Sequence, residues 1–256
     1  MKCRSSCQVV LVHGNPETAD VWAALIGSLP DRDVSCLSPP GFGCPLPAGF
    51  ACTMDGYRDW LIAQLERIGA QVHLVGHDWG GLHVINAVSA RPDLVLSWAS
   101  DTAGMFAPGY RWHKSAAQWQ QPGVGEQHTS SIFGGDPDRL SDFLAAKGMP
   151  AHWAALMAER QDPALPAAVL SLYRSARQPV LSDAGAKLAP LPAAGLVINP
   201  LRDPNTGTDL MRRQVAQRCG AEVVTFPDLG HWWMLEDPSR AAQAFETFWS
   251  TAELDR

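Results

Sequence analysis

Short runs of apolar, mostly β-branched residues alternate along the chain with longer segments in which apolar residues recur at helical spacing. The short runs predict buried strands at 8–12, 34–37, 72–76, 94–99, 195–199 and 222–226. The longer segments predict helices at 19–29, 54–68, 80–90, 209–218 and 240–251. Strands and helices that alternate in this way are typical of a mostly parallel, doubly wound α/β sheet.

The alternation stops between residues 105 and 191, where strand signals give way to helical segments rich in Trp, Ala and Pro. We interpret this stretch as an inserted helical cap. The chain of 256 residues is long enough for one substantial core. We therefore predict one α/β core, formed by residues 1–104 and 192–256, that is split by a cap at 105–191.

Composition and charge narrow the classes of partner. The chain is 46% hydrophobic and 18% charged, which is typical of a globular protein. Its net charge is -6 and no run of Lys or Arg forms a basic patch, so we expect neither nucleic acid nor a membrane as a partner. The apolar stretch near the N-terminus is too short for a signal peptide, which predicts a cytoplasmic protein. We expect a small hydrophobic substrate, no metal or cofactor, and a monomer or homodimer.

A candidate nucleophile stands in the run Gly76-His77-Asp78-Trp79-Gly80, which follows a predicted strand and opens a predicted helix. Glycines on both sides allow the sharp strand-to-helix turn that displays a nucleophile. A carboxylate is already ionised at neutral pH, so Asp78 could attack carbon directly and form an ester. The same run could instead be a tight turn in which Asp78 caps the helix.

The base that would serve this nucleophile is His231, which follows the last predicted strand at the edge of the sheet where open α/β folds bind ligands. Two acids compete to orient it. Asp203 follows the strand after the insertion, and Asp101 follows the strand before it. The chain order of nucleophile, acid and histidine favours Asp203, although either residue could cap a helix.

A candidate oxyanion hole lies just past the first strand, in the run from His13 to Pro16. The backbone N–H of Asn15 could join that of Trp79 in stabilising a negative oxygen on the ester. The alternative, without a catalytic role, is a turn built from Gly and Pro.

Together these motifs resemble the α/β-hydrolase superfamily, in the branch shared by epoxide hydrolases and haloalkane dehalogenases. The resemblance covers nearly the whole chain and implies the α/β-hydrolase fold, a helical cap and an alkyl-enzyme ester on Asp78. The family usually has an antiparallel strand pair before the first strand found here, and this sequence has no room for it. The matching runs are HGNPE from His13, PGFG from Pro40, GHDWGG from Gly76, QPGVGE from Gln121, Tyr173-Arg174 and Gly230-His231.

The resemblance is closest to the epoxide hydrolases, which implies conversion of a hydrophobic epoxide and water to a vicinal diol. In that family two cap tyrosines protonate the epoxide oxygen, and Tyr173 matches the second of them. The first is missing, because residues 115–119 read SAAQW. Either another side chain replaces it, with His113, Tyr110 and His128 as candidates, or Tyr173 acts alone.

Two alternatives remain open. Haloalkane dehalogenases hold the leaving halide with an indole N–H and an amide, and this chain has Trp79 and Asn15 at those places, so halide release through the same ester is one alternative. A ligand-binding scaffold without catalysis is the other. In each case we predict that Trp119, His113 and Trp232 contact the substrate, although tryptophans also pack in cores.

Overall fold

One parallel sheet organises the molecule. The computed structural model describes residues 7–254, so the first six and last two residues of the predicted core lie outside it. Six strands of the described residues pair in the order β2-β1-β3-β4-β5-β6, and every pair is parallel. The strands are β1 (Val9–Val12), β2 (Val34–Leu37), β3 (Val72–Gly76), β4 (Val95–Ser100), β5 (Ala194–Pro200) and β6 (Glu222–Phe226).

The strand order places a crevice at the carboxyl ends of β1 and β3. The chain leaves β1 for β2 on one side and later returns to β3 on the other, so the order reverses there. Val12 is paired with Gly76, which aligns the ends of the two strands. Open α/β sheets bind ligands at such a switch point. Both strands are completely buried, as their unbroken apolar runs predict.

Helices fall into three groups along the chain. The first group is α1 (Ala23–Gly27), α2 (Met54–Ile68) and α3 (Trp79–Ala90). Between β4 and β5 the described residues form α4 (Lys114–Trp119), α5 (Val124–Phe133), α6 (Pro137–Ala146), α7 (Ala151–Glu159), α8 (Leu165–Ser175) and α9 (Val180–Ala186). The last group is α10 (Asp209–Cys219), α11 (Trp233–Glu236) and α12 (Pro238–Leu254). Within residues 7–254 no helix is both long and apolar enough to cross a membrane.

The predicted α/β alternation is confirmed, with local differences at the ends of elements. The helix predicted at 19–29 is a 3-10 turn, Ala19–Trp22, followed by the short α1. The strand predicted from residue 94 begins at Val95, because Pro92–Leu94 form a 3-10 turn. The last helix begins earlier than predicted, at Pro238, since proline has no N–H to lose and its φ suits the first turn. The short helix α11 was not predicted.

Candidate active site

The turn between β3 and α3 displays Asp78 in a conformation that few side chains adopt. Its φ is 49° and its ψ is -125°, and it is the only non-glycine residue with positive φ in the part of the chain that the structure describes. The residues two positions before and after it, Gly76 and Gly80, must be glycine because the backbone around them is crowded. A Cβ on Gly76 would lie 2.4 Å from the carbonyl oxygen of Gly80, and one on Gly80 would lie 2.1 Å from that of Val12. Such local strain is characteristic of functional sites.

His231 lies between Asp78 and Asp203. Its Nδ1 is 2.9 Å from Oδ2 of Asp203, and its Nε2 is 3.9 Å from Oδ2 of Asp78. The second candidate acid, Asp101, forms neither a hydrogen bond nor an ion pair with His231. Strand neighbours explain the difference: β5 and β6 are adjacent, which brings together the residues that follow them. Asp101 instead follows β4, beside the strand-to-helix turn at 76–80, which we call the elbow.

The loop after β5 fixes the carboxylate of Asp203. Its Oδ1 accepts a hydrogen bond from the backbone N–H of Asn205 at 2.7 Å, and its Oδ2 accepts one from the hydroxyl of Thr206 at 2.8 Å. Burial would raise the pKa of Asp203, but His231 and these donors hold it well below its usual value. The buried guanidinium of Arg212 donates to the carbonyl of Asp203 at 2.9 Å and to the hydroxyl of Thr206 at 2.8 Å.

Electrostatics set the charges of the predicted nucleophile and base. Burial raises the pKa of Asp78 to about 6, although the nearby charge of His231 opposes this shift. Burial would lower the pKa of His231, but the charge and hydrogen bond of Asp203 raise it to about 9. At neutral pH the two side chains therefore rest as a carboxylate and an imidazolium.

The predicted oxyanion donors flank Asp78. The backbone N–H of Asn15 donates to Oδ1 of Asp78 at 3.0 Å. Trp79 is the first residue of α3, so its backbone N–H has no acceptor within the helix. A Cβ on Gly14 would lie 2.3 Å from the Cβ of Asp78, which explains why the loop after β1 can approach so closely only with glycine there.

Asp101 supports the elbow from behind. Its Oδ1 accepts a hydrogen bond from the backbone N–H of Asp78 at 3.0 Å. Its Oδ2 lies 2.5 Å from Nδ1 of His77 and accepts a hydrogen bond from the indole of Trp233 at 2.8 Å. Asp101 is thus tied to the turn that displays Asp78.

Glu17 is a site residue whose contacts sequence reasoning missed. Its side chain is fully buried, and its Oε1 lies 3.1 Å from Nε2 of His77 and 3.9 Å from Nε2 of His231. The same oxygen accepts a hydrogen bond from the indole of Trp232 at 2.8 Å. Burial would raise the pKa of Glu17, but His77 lowers it to about 2. The HGNPE run contains Glu17, yet only the fold shows that it lies near His231.

A small cavity of about 50 Å³ opens onto these groups. All three residues predicted to contact the substrate, namely Trp119, His113 and Trp232, are among the residues that line it. The full lining is Asn15, Pro16, Asp78, His113, Trp119, Phe143, Leu144, Lys147, Tyr173, Asn205, His231 and Trp232.

Tyr173, on α8, reaches this cavity from the inserted helices. It is buried, and its phenol oxygen accepts a hydrogen bond from the side-chain amide of Asn15 at 3.3 Å. Its ring stands edge-on to that of Trp79, with centroids 5.1 Å apart and an interplanar angle of 77°. Burial and the charge of Asp78 raise the pKa of the Tyr173 phenol well above its usual value.

Of the three candidate replacements for the missing tyrosine, one lines the cavity. His113 does so, and its Nδ1 accepts a hydrogen bond from the backbone N–H of Ala116 at 3.3 Å. Burial lowers the pKa of His113 to about 4, so the ring is neutral and carries its proton on Nε2. Tyr110 instead donates to the carbonyl of Asn205 at 2.8 Å, and His128 lies outside the lining.

Three residues of the site bring potential metal-ligand atoms together. Glu17, His77 and His231 each bring one potential ligand atom within 4.8 Å of the others. Both ring nitrogens of His77, however, face carboxylates, and Nδ1 of His231 faces Asp203. In the structure these ring nitrogens are thus paired with carboxylates.

Comparisons with known proteins identify the family. A model of the Alpha/beta hydrolase family matches residues 9–244. An epoxide hydrolase of Caballeronia sordidicola is 33% identical over 92 residues, which cover 33% of this chain and 27% of that protein. A cis-3-alkyl-4-alkyloxetan-2-one decarboxylase of Shewanella oneidensis is 31% identical over 105 residues, which cover 38% of this chain and 33% of that protein. The matches to these two relatives thus span about a third of their length or less.

Solved structures share the fold at low identity. The haloalkane dehalogenase of Bradyrhizobium elkani superposes with a TM-score of 0.73 and 17% identity, covering 99% of this chain and 93% of that one. This likeness shows the fold alone, and it confirms the predicted α/β-hydrolase architecture. Since the family model spans nearly the whole described chain, the protein belongs to the alpha/beta hydrolase family.

Proposed function

We propose that this protein is an epoxide hydrolase, which converts a hydrophobic epoxide and water to a vicinal diol through an alkyl-enzyme ester on Asp78. One observation carries the proposal. The carboxylate of Asp78, the imidazole of His231 and the phenol of Tyr173 line the same cavity. A nucleophile, a base and a proton donor around one small space are the groups that opening an epoxide and hydrolysing the ester require.

In the first step the carboxylate of Asp78 attacks one epoxide carbon. The carbon–oxygen bond breaks, an ester forms, and the departing oxygen takes a proton from Tyr173. Its raised pKa keeps the phenol protonated at neutral pH, so that the proton is available. The amide of Asn15 orients the phenol by donating to its oxygen.

His113 supplies the second donor to the epoxide oxygen in this proposal. Its Nδ1 is occupied by the N–H of Ala116, which leaves a neutral ring with Nε2–H as its donor. A neutral imidazole can polarise an oxygen by hydrogen bonding without giving up its proton. His113 would thus take the place of the missing first tyrosine.

In the second step a water molecule hydrolyses the ester. Once Asp78 is esterified its charge is lost, and with it one of the interactions that raise the pKa of His231. The imidazolium proton of His231 returns to the Tyr173 phenolate left by the first step, which restores the phenol. The neutral ring of His231 can then accept a proton from water through Nε2, while Asp203 holds Nδ1. Water adds to the ester carbonyl, and the N–H groups of Asn15 and Trp79 stabilise the negative oxygen. On collapse the ester bond breaks, the departing diol oxygen takes the proton that His231 accepted, and the carboxyl group of Asp78 gives its proton to His231, which restores the carboxylate and the imidazolium.

The contacts of Tyr173 favour this reaction over halide release. A halide clamp would need the amide of Asn15 and the indole N–H of Trp79 to face the leaving group. The amide instead donates to Tyr173, and the Tyr173 ring stands edge-on to the Trp79 indole. The side chain of Tyr173 therefore already contacts both groups, the Asn15 amide and the Trp79 indole, that a halide would use.

The test is product analysis with styrene oxide and, separately, 1-bromobutane. We expect diol from the epoxide, no diol with Asp78→Ala, and a mass adduct on Asp78 that accumulates with His231→Gln. His152→Gln, on the exposed face of α7, is the matched control and should turn over normally. Halide release without diol would transfer the assignment to dehalogenation. Ligand binding that is unchanged in Asp78→Asn, with no turnover of either substrate, would instead indicate a non-catalytic scaffold.

A further inference from the structure

We propose that the mouth of the cavity contains a binding site for a carboxylate on the substrate, with Lys147 as its cation. The inference rests on the proposed function for the reaction at Asp78 and adds the class of substrate: an epoxide that carries an acid group at its far end. Nothing in the family match or the relatives assigns a role to Lys147.

The position of Lys147 is set by α6. It follows the last residue of that helix, and its backbone N–H closes the final turn by donating to the carbonyl of Leu144 at 3.0 Å. Its ammonium lies 5.7 Å from the centroid of the Phe143 ring. Phe143, Leu144 and Lys147 all line the cavity, so one end of the helix presents two apolar side chains and one cation to it.

The ammonium has no anionic partner in the part of the chain that the structure describes. Among residues 7–254 no carboxylate forms an ion pair with Lys147, and no side chain accepts a hydrogen bond from it. Many other cations of the chain are paired, including Arg174 with Glu126 at 2.9 Å. An unpaired cation beside an aromatic ring at a cavity mouth is available to a ligand anion.

The charge of Lys147 acts on the interior of the cavity. Burial is the main reason that the pKa of His113 falls to about 4, and the ammonium of Lys147 is the next. The chain as a whole carries a net charge of -6, which would otherwise repel an anionic substrate. A cation at the opening of an apolar cleft attracts the anion locally and orients it. The acid would face the mouth and the epoxide would face Asp78.

The lining between these two ends is apolar and aromatic, with Trp119 and Phe143 on one side and their ring centroids 6.5 Å apart. An apolar spacer between the epoxide and the acid would pack against these rings. The structure thus favours epoxides that carry an acid beyond an apolar spacer.

The binding test uses a matched pair of ligands, 4-phenylbutanoate and 4-phenylbutanamide, titrated calorimetrically into the full chain. We expect the acid to bind roughly tenfold more tightly than the amide, as a charge-assisted contact near solvent would give. Lys147→Gln should remove that preference and Lys147→Arg should keep it. Lys187→Gln is the control, because Lys187 also follows the last residue of a helix but lies outside the cavity.

Equal binding of acid and amide by the unmodified protein, including no measurable binding of either, would overturn the inference, as would an acid preference that survives in Lys147→Gln. A parallel assay compares 5,6-epoxyhexanoate, which carries its acid at the far end from the epoxide, with its amide. Lys147→Gln should raise KM for the epoxy acid about tenfold and leave kcat nearly unchanged. If neither epoxide reacts while the binding preference holds, the proposed reaction fails and the carboxylate site stands.

Discussion

Nδ1 of His77 lies 2.5 Å from Oδ2 of Asp101, and both side chains are fully buried. The other ring nitrogen lies 3.1 Å from Glu17, so the imidazole is held between two carboxylates. Burial would lower the pKa of His77, but these charges raise it well above its ordinary value. A buried imidazolium with a carboxylate on each side therefore stands directly behind the elbow, since Asp101 also accepts the backbone N–H of Asp78.

Replacing Glu17 with Gln should destabilise the protein by about 1–3 kcal/mol at pH 7, because His77 loses one of its two counter-charges while the hydrogen bonds can persist. Urea denaturation measures this change. Glu159→Gln, on the exposed end of α7, should shift the free energy of unfolding by less than about 0.5 kcal/mol.

The stability that Glu17→Gln loses should depend on pH and should be smaller in acid. The pKa of Glu17 is lowered from 4.5 to about 2 by folding, so its ionised form contributes stability above pH 4.5 that is lost as pH falls towards 2. The difference in free energy of unfolding between Glu17→Gln and the unmodified protein should therefore shrink as the pH falls from 4.5 to 2. A gap that stays constant down to pH 2 would contradict this assignment of charge.

Asp78→Asn should stabilise the protein at pH 7 while abolishing activity. Folding raises the pKa of Asp78 from 3.8 to about 6, so the buried carboxylate costs stability above pH 6, and an amide of the same shape avoids that cost. We expect a gain of roughly 1–3 kcal/mol at pH 7 by chemical denaturation. The gain should vanish below about pH 4, where the carboxyl is protonated in both states. A loss of stability at pH 7 would show that the carboxylate is better compensated than its pKa indicates.

Asp203→Asn should slow ester hydrolysis by roughly 10²–10⁴-fold, because His231 loses the charge that raises its pKa and holds its tautomer. Mass spectrometry should then detect the alkyl-enzyme during turnover. Asp228→Asn, at an exposed ion pair with Arg240, is the control and should leave the rate unchanged. If Asp101→Asn accumulates the ester and Asp203→Asn does not, the orienting role belongs to Asp101.

Gly80→Ala should prevent stable folding of the elbow or cost more than about 3 kcal/mol, because the new Cβ would lie 2.1 Å from the backbone oxygen of Val12. Gly27→Ala is the opposite case, since no atom lies within 4 Å of the position that its new methyl group would take and the residue ends a helix. Thermal denaturation should show a small gain of about 0.5–1 kcal/mol there. Equal tolerance of both substitutions would mean that the backbone around the elbow relaxes.

Local sequence signals were sufficient for the sheet and for the elbow. A strand or a strand-to-helix turn depends on neighbours within a few residues, so the apolar run of β3 and the flanking Gly76 and Gly80 predict it directly. The ends of elements were less predictable, because a single residue such as Pro92 or Pro238 changes the hydrogen bonding of one turn.

Contacts between distant segments required the tertiary structure. Asn15 and Tyr173 are 158 residues apart, and no local pattern relates an amide after β1 to a phenol on α8. The strand order was also needed to decide which of Asp101 and Asp203 contacts His231, since each follows a strand and each could lie near that side chain.

The sequence by itself thus determined the strands, the glycine-flanked turn and the residue types that can attack, accept and donate protons. The tertiary structure decided which of them meet. Because β4 lies beside β3, Asp101 supports the elbow; because β5 lies beside β6, Asp203 reaches His231. Burial then sets their charges, since desolvation and neighbouring carboxylates act only once the chain has brought these groups together.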